Sequence, residues 1–231
     1  MITSVPLLHE SRSLQLRRTV PNDASLLFQQ GFSQQEFMRL FRLNDAPASE
    51  AEVYQNLVRR QQIPAHQETY LELLICHRRY GPIGLCALAD HSALHQRAEY
   101  LVGLFDSARR RVGYGIEVTL MVLDLAFNAY HLHKVYASTY AYNLPAQTGL
   151  VKMGFQLEGQ RRDHIFDRAS QQFVDLYDYG MTVDNFRQNQ RLVPLSQRLL
   201  QRDITPLDSS LMLRPKSISS AASGSRILQS I

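Results

Sequence analysis

Residues 109–116 run Arg-Arg-Arg-Val-Gly-Tyr-Gly-Ile, and an apolar-periodic stretch follows at once to Tyr130. A glycine-containing turn that delivers its backbone into a helix leaves the first N–H groups of that helix without intrahelical partners, at the positive end of the helix dipole. The chemistry on offer is anion binding, phosphate above all. Glycines also build tight turns that hold no ligand, so this window alone leaves both readings open. Other reactive types have less to work with. His91 and His95 have metal-like spacing but fall in a polar connection with no third ligand, so no metal site is expected. Cys76 and Cys86 lie in apolar runs without Cys-x-x-Cys spacing, which suits buried thiols in a reducing compartment.

The elements around the turn follow from periodicity. Residues 1–13 carry no clear period and are expected to be a flexible lead. Residues 14–20 alternate as a half-buried strand, and Pro21-Asn22-Asp23 stops it with helix-capping chemistry. Short helices are expected over 34–42, with Phe37, Leu40 and Phe41 on one side, and over 50–62, with Val53, Leu57 and Val58. Residues 69–77 and 83–89 form a hairpin about Arg78-Arg79-Tyr80-Gly81-Pro82, residues 90–96 are a polar connection, and 98–105 are a strand. Gly103 in that strand marks a bulge or the close approach of a ligand.

After the glycine turn, Ile116, Leu120, Leu123, Phe127 and Tyr130 recur at helical spacing, with Glu117, Asp124 and Asn128 on the opposite, solvated face. A strand over 134–139 follows, then a helix from Asn143 closed by Gly154, then a hairpin of 155–164 with 173–181. Asp184 is placed to cap a last helix carrying Phe186, Leu192 and Leu195, interrupted by Pro194, and a Ser-rich tail beyond Asp203 is expected to lack fixed structure. This is an α/β chain with a mixed sheet and parallel character around the glycine turn. Its organisation is a lead over 1–13, one domain over 14–183, and an extension with a disordered tail over 184–231.

The totals narrow the partners. At 231 residues and 45% hydrophobic composition the chain buries one good core, and a net charge of +4, carried mostly by arginine, suits phosphate ligands. The basic residues are spread out and no nucleic-acid motif appears, which argues against nucleic acid. Residues 116–127, the longest apolar run, are broken by Glu117 and Asp124, so no membrane span and no export signal are expected; the predicted location is cytoplasmic.

Between residues 14 and 181 the chain resembles the GNAT superfamily of acyl-CoA N-acyltransferases, and in order and spacing its RimJ/RimL-type branch. The Gln/Arg-x-x-Gly-x-Gly/Ala signature is matched by Arg110-Arg111-Val112-Gly113-Tyr114-Gly115, between strand and helix. The series around it also matches: Glu99-Tyr100-Leu101, Leu125-Ala126-Phe127, Leu132-His133-Lys134-Val135, Asn143-Leu144-Pro145-Ala146 and Lys152-Met153-Gly154-Phe155. The resemblance implies a twisted, mostly antiparallel sheet with flanking helices and a central parallel strand pair, 98–105 and 134–139, splayed to admit the pantetheine arm of acetyl-CoA. It implies backbone contacts to that arm from Leu104 and Phe105, and pyrophosphate contacts from Arg110, Arg111, Val112, Gly113, Tyr114, Gly115 and Ile116. It also implies a hydrogen bond from Asn143 to the cofactor arm.

Direct acyl transfer needs a neutral amine, a polarised thioester carbonyl and a proton for the departing thiolate. By the resemblance Glu99 is the candidate base. Many members carry a tyrosine seven residues after the asparagine as the general acid, and here that position is Leu150. Tyr140, Tyr142 and Thr148 lie nearby. The expected activity is acetyl-CoA-dependent, metal-free N-acetylation of a primary amine on a protein N-terminus, a polyamine or another small molecule, and a homodimer is compatible with it. The alternative is a catalytically silent CoA-binding module.

Overall fold

The computed structural model describes residues 7–41, 46–64 and 67–207. Its framework is one eight-stranded sheet: β1 (Leu7–Glu10), β2 (Leu14–Arg18), β3 (Leu71–His77), β4 (Gly81–Ser92), β5 (Arg97–Leu104), β6 (Lys134–Tyr140), β7 (Gln156–Asp167) and β8 (Gln172–Thr182). The spatial order is β1-β2-β3-β4-β5-β6-β8-β7. All neighbours are antiparallel except β5 and β6, which run parallel.

Successive side chains of a strand point to opposite faces, and here both faces are covered. Leu73, Cys86, Tyr100 and Val135 enter one apolar layer, while Leu74, Ala87 and Leu101 enter the other. The first layer is closed by α4 (Tyr114–Asp124), whose last turn widens over Leu125–Ala129, and by α5 (Leu144–Met153). The second is closed by α1 (Ala24–Leu27), α2 (Gln35–Phe41) and α3 (Glu50–Gln61), through Leu27, Phe37, Phe41, Val53 and Leu57. Burial on both faces explains why β3 and β4 are near-continuous apolar runs. Gly103 serves this packing: a Cβ there would stand 2.6 Å from the Phe37 ring. The glycine lets α2 settle onto β5, so its close approach is to a helix within the chain.

Several local expectations change. β4 continues to Ser92, so the polar connection shrinks to 93–96; Asp90 within β4 (φ 45) and Gln96 at the end of the connection (φ 49) have left-handed backbone. Within the expected lead, residues 7–10 form β1, too short to show a period and held by main-chain pairing to β2; residues 1–6 lie outside the described set. The expected last helix is two helices, α6 (Val183–Arg187) and α7 (Leu192–Leu200). Thr182 rather than Asp184 caps the first, and Pro194 sits in the first turn of the second, where its missing N–H costs nothing. Ile204 and Thr205, beyond the expected end of order, are buried, and Arg187 donates to the carbonyls of Ile204, Thr205 and Pro206. The tail from 208 lies outside the described residues.

Glu117 and Asp124, on the expected wet face of α4, are buried, because residues 9–13 and Arg202 fold over them. Glu117 accepts from the Ser11 and Ser13 hydroxyls, both at 2.6 Å, and from the Ser13 amide. Asp124, 3% exposed, pairs with His9 at 2.5 Å and with Arg202, and accepts from Asn128 at 2.7 Å. Burial would raise the Asp124 carboxyl, but the hydrogen bonds from His9 and Asn128 and the positive charges of Arg202 and His9 outweigh it and lower it. Asp124→Asn leaves Arg202 without its counter-charge and His9 without its carboxylate partner, and is expected to cost about 2–3 kcal/mol in urea unfolding, less than a fully buried pair because Arg202 keeps contact with water. A carboxyl lowered in the folded state stabilises above its ordinary value of 3.8, and the contribution fades as pH falls through the lower folded value. The gap between the two proteins is therefore expected to close below about pH 4.

Candidate active site

β5 is the strand on which the site depends. On one side it pairs with β4 from Arg97 to Leu104. On the other it pairs with β6 over three residues only, Arg97, Ala98 and Glu99 against Lys134, Val135 and Tyr136. Past Glu99 and Tyr136, β5 stays with β4 and β6 stays with β8 as far as Tyr140. The two central strands part, and a cleft of about 680 Å³ opens between them, walled by Tyr100, Leu101 and Val102 on β5 and by Ala137, Ser138 and Thr139 on β6.

The glycine turn stands at one end of this cleft. Gly113 has φ 98, a left-handed conformation that favours glycine, and acts as the N-cap of α4. The amides of Ile116 and Glu117 close back on the Gly113 carbonyl, so helix geometry leaves the preceding amides, Gly113 to Gly115, facing outward. A Cβ at Gly113, at Gly115 or at Gly149 of α5 would meet no atom within 4 Å, so the space over this helix end is open. Arg110, Gly113, Gly115 and Ile116 all line the cleft. Arg110 reaches across its mouth to Glu36 of α2 at 2.5 Å, and Arg109 turns away to Asp106 and the Tyr80 ring. Tyr114 packs edge-on against His77, Val112 is exposed, and the side chain of Arg111 lies outside the described residues.

The other expected residues divide. Asn143 lines the cleft and caps α5, its side chain accepting from the Ala146 amide at 3.4 Å. Glu99 sits at the vertex, the last β5 residue paired with β6, on the same face as Leu101 and so on the α1–α3 side. Leu104 is buried in the core, and the Phe105 amide is committed to the Ile83 carbonyl at 3.0 Å, which leaves it no hydrogen for a ligand. Alternation along the strand turns the Leu104 main chain the other way, toward the cleft side. Leu150 is buried in the cleft wall. Among the described residues no group of His, Cys, Asp and Glu could hold a metal, and His91 bonds the Glu68 carbonyl.

A polar network also faces the α1–α3 side and went unnoticed in the sequence. The Tyr136 hydroxyl donates to Asp90 at 2.6 Å and accepts from Arg97 at 3.0 Å. Ser138 donates to Asp178 of β8 at 2.7 Å. Arg161 of β7 grips Asp178 with Nε and Nη2, at 2.8 and 2.7 Å. Burial would raise the Asp178 carboxyl; the bonds from Arg161 and Ser138 outweigh it and hold it lowered. Nearer the rim, Tyr142 donates to the Arg39 carbonyl at 2.8 Å and lies under the Arg39 guanidinium, which pairs with the buried Asp167. Desolvation first, then the neighbouring Tyr140 and Asp167, pushes the Tyr142 hydroxyl up to about 12.

Residues 13–156 match the acetyltransferase (GNAT) domain family. The chain belongs to that family. It is an acyltransferase by that membership, with the mixed, mostly antiparallel GNAT sheet. Two uncharacterized N-acetyltransferases of Bacillus subtilis (strain 168) are similar in sequence. The SPbeta prophage-derived YokL is 29% identical over 119 residues, 52% of this chain and 57% of YokL, so the chain spans little more than half of that relative. YoaA is 28% identical over 174 residues, 74% of this chain and 95% of YoaA. Among solved structures, RimJ of Mycobacterium smegmatis in complex with CoA-disulfide superposes with a TM-score of 0.68 at 19% identity, covering 85% of this chain and 95% of RimJ. A chimera of the Vibrio cholerae spermidine N-acetyltransferase SpeG with hSSAT superposes at 0.66 and 18% identity, covering 76% and 99%.

The double position of Asn143, capping a helix and lining the GNAT cleft, can be separated by experiment. Asn143→Ala is expected to lower stability by about 0.5–1 kcal/mol in thermal or urea unfolding, the low end for a cap whose bond is long, while Asn143→Ser keeps the cap and the stability.

Proposed function

We propose that this protein transfers an acetyl group from acetyl-CoA to a primary amine by direct attack, within the cytoplasm. The observation that carries the proposal is the divergence of β5 and β6 immediately after Glu99, with an open helix N-terminus at one end of the gap. The donor set suits this cosubstrate. The outward amides of Gly113, Tyr114 and Gly115, the positive end of α4 and the Arg110 guanidinium match a pyrophosphate, with Val112 and Ile116 shaping the turn on either side. An unpaired strand edge matches the amides of a pantetheine arm, which would add to β5 as a strand adds to a sheet, the Leu104 main chain taking part. Asn143 faces the same arm from α5. The buried Thr139 Oγ1, in the cleft wall, has no hydrogen-bond partner among the described residues.

Acetyl-CoA supplies the acyl group as an activated thioester; the protein positions it and the amine. Glu99, at the vertex and on the α1–α3 side, receives the proton the amine sheds, directly or through a water. An α-amine, with a reference pKa near 7.7–8.0, asks less of this base than a lysine amine near 10.4. Leu150 offers no proton to the departing thiolate. The hydroxyl protons of Tyr142 and Ser138 are committed to the Arg39 carbonyl and to Asp178. Thr119 donates to the Gly115 carbonyl, so Tyr100 donates to Thr119. The thiolate, whose pKa near 8.5 makes it a tolerable leaving group, takes its proton from solvent or from a cleft-wall hydroxyl, Thr139 or Thr148. The acceptor classes to test are protein N-termini and polyamines, the latter suggested by the spermidine N-acetyltransferase neighbours.

The test is thiol release from acetyl-CoA against peptides with free α-amines, spermidine and simple alkylamines, beside calorimetric titration of CoA. We expect micromolar CoA binding, and turnover on at least one amine. Gly115→Leu fills the open approach and is expected to weaken CoA binding at least about tenfold, and Glu99→Gln to lower kcat about 100-fold with CoA affinity unchanged. Absence of CoA binding would overturn the proposal.

A further inference from the structure

Ser138 stands two residues past the last β6 position paired with β5, in the wall of the cleft and on the same face as Glu99 and Tyr136. It has a single hydroxyl proton, and that proton is given to Asp178 Oδ1 at 2.7 Å. Asp178 is not free to move from this bond. Arg161 holds both of its oxygens in a fork, and Arg161 is in turn 2.8 Å from His164 Nε2. The Arg161 Nη2 approaches Ser138 Oγ only at 3.4 Å, so it competes weakly for the oxygen's lone pairs.

A serine whose proton is fixed on a carboxylate presents its oxygen to the rest of its surroundings as a hydrogen-bond acceptor. Bonding to a charged partner strengthens this polarisation. The group that such an oxygen suits, at the point where the strands part, is an N–H of an uncharged amine. We infer that Ser138 Oγ accepts a hydrogen bond from the acceptor amine and so aims the nitrogen lone pair into the cleft, with Asp178 and Arg161 as the positioning residues that hold the hydroxyl in this sense. The inference rests on the acetyltransferase function proposed above. Asp178 itself does not collect the proton, because the Arg161 fork keeps it in its charged form; that task stays with Glu99. The arrangement also limits the acceptor. Since Asp178 is already neutralised by Arg161, it gives no anionic seat for a second ammonium group, and one uncharged amine is what the hydroxyl can orient.

The test compares Ser138→Ala, Ser138→Thr, Asp178→Ala and the double variant S138A/D178A. Each is assayed with acetyl-CoA and the best amine of the panel, beside calorimetric CoA titration and thermal unfolding. We expect kcat/KM for the amine to fall about 10–30-fold in S138A, the size of one hydrogen bond to a reacting group, with CoA affinity unchanged. Ser138→Thr, which keeps the hydroxyl on a strand that tolerates β-branching, should stay within about threefold of the wild type. Asp178→Ala should lose a similar factor, and the double variant should be no worse than the poorer single one, because Asp178 acts through Ser138. Wild-type turnover by S138A, or losses that multiply in the double variant, would overturn the inference and leave the acetyltransferase proposal standing. If the unmodified protein bound CoA but acetylated no amine, both would fall together.

Discussion

The structure turns on the shortness of one parallel ladder. Parallel strands normally continue side by side, since each bare N–H and C=O in a sheet interior has to find a partner. Here the β5–β6 pairing stops after three residues, while beyond that point each strand stays paired on its other side. The antiparallel partners β4 and β8 thus stabilise a gap in the middle of the sheet that the two central strands alone would close. A gap held this way is preformed, and it offers strand edge and helix end within one space.

What keeps the gap open is packing on both faces. On one side α4 is buried all round, because Glu117 is tied to the β1–β2 turn and Asp124 to β1 and to the segment after α7. Residues 9–13 and Arg202 therefore fix the helix whose N-terminus faces the cleft. On the other side α2 sits directly on β5 over Gly103, and Arg110 meets Glu36 across the mouth. The glycine turn before α4 and the helix α2 are linked through that ion pair. Its partly exposed setting makes it weak.

Much of this was legible in the sequence because it is local. Glycine turn, helix period, the Asn143 cap and the Gly154 stop each depend on a few adjacent residues, and the resemblance to the GNAT family supplied their order in space. The sequence could not show what depends on pairing between distant segments. Glu117 and Asp124 have the spacing of a solvated face, and nothing near them signals that residues 9–13 and 202 return to cover it. Gly103 carries the same symbol whether a ligand or Phe37 fills the space beside it. Ser138 is one small residue in an alternating strand, and its partner Asp178 becomes visible only once β8 is laid against β6 in register.

The central claim is that the cofactor occupies the gap between β5 and β6 and ends on the first turn of α4. Hydrogen exchange followed by mass spectrometry, with and without saturating CoA, tests it most directly. The account predicts added protection confined to residues 100–104 and 113–116 and to the start of α5, with the Asp124 region unchanged. Protection elsewhere with none in those segments, despite measurable CoA binding, would contradict it.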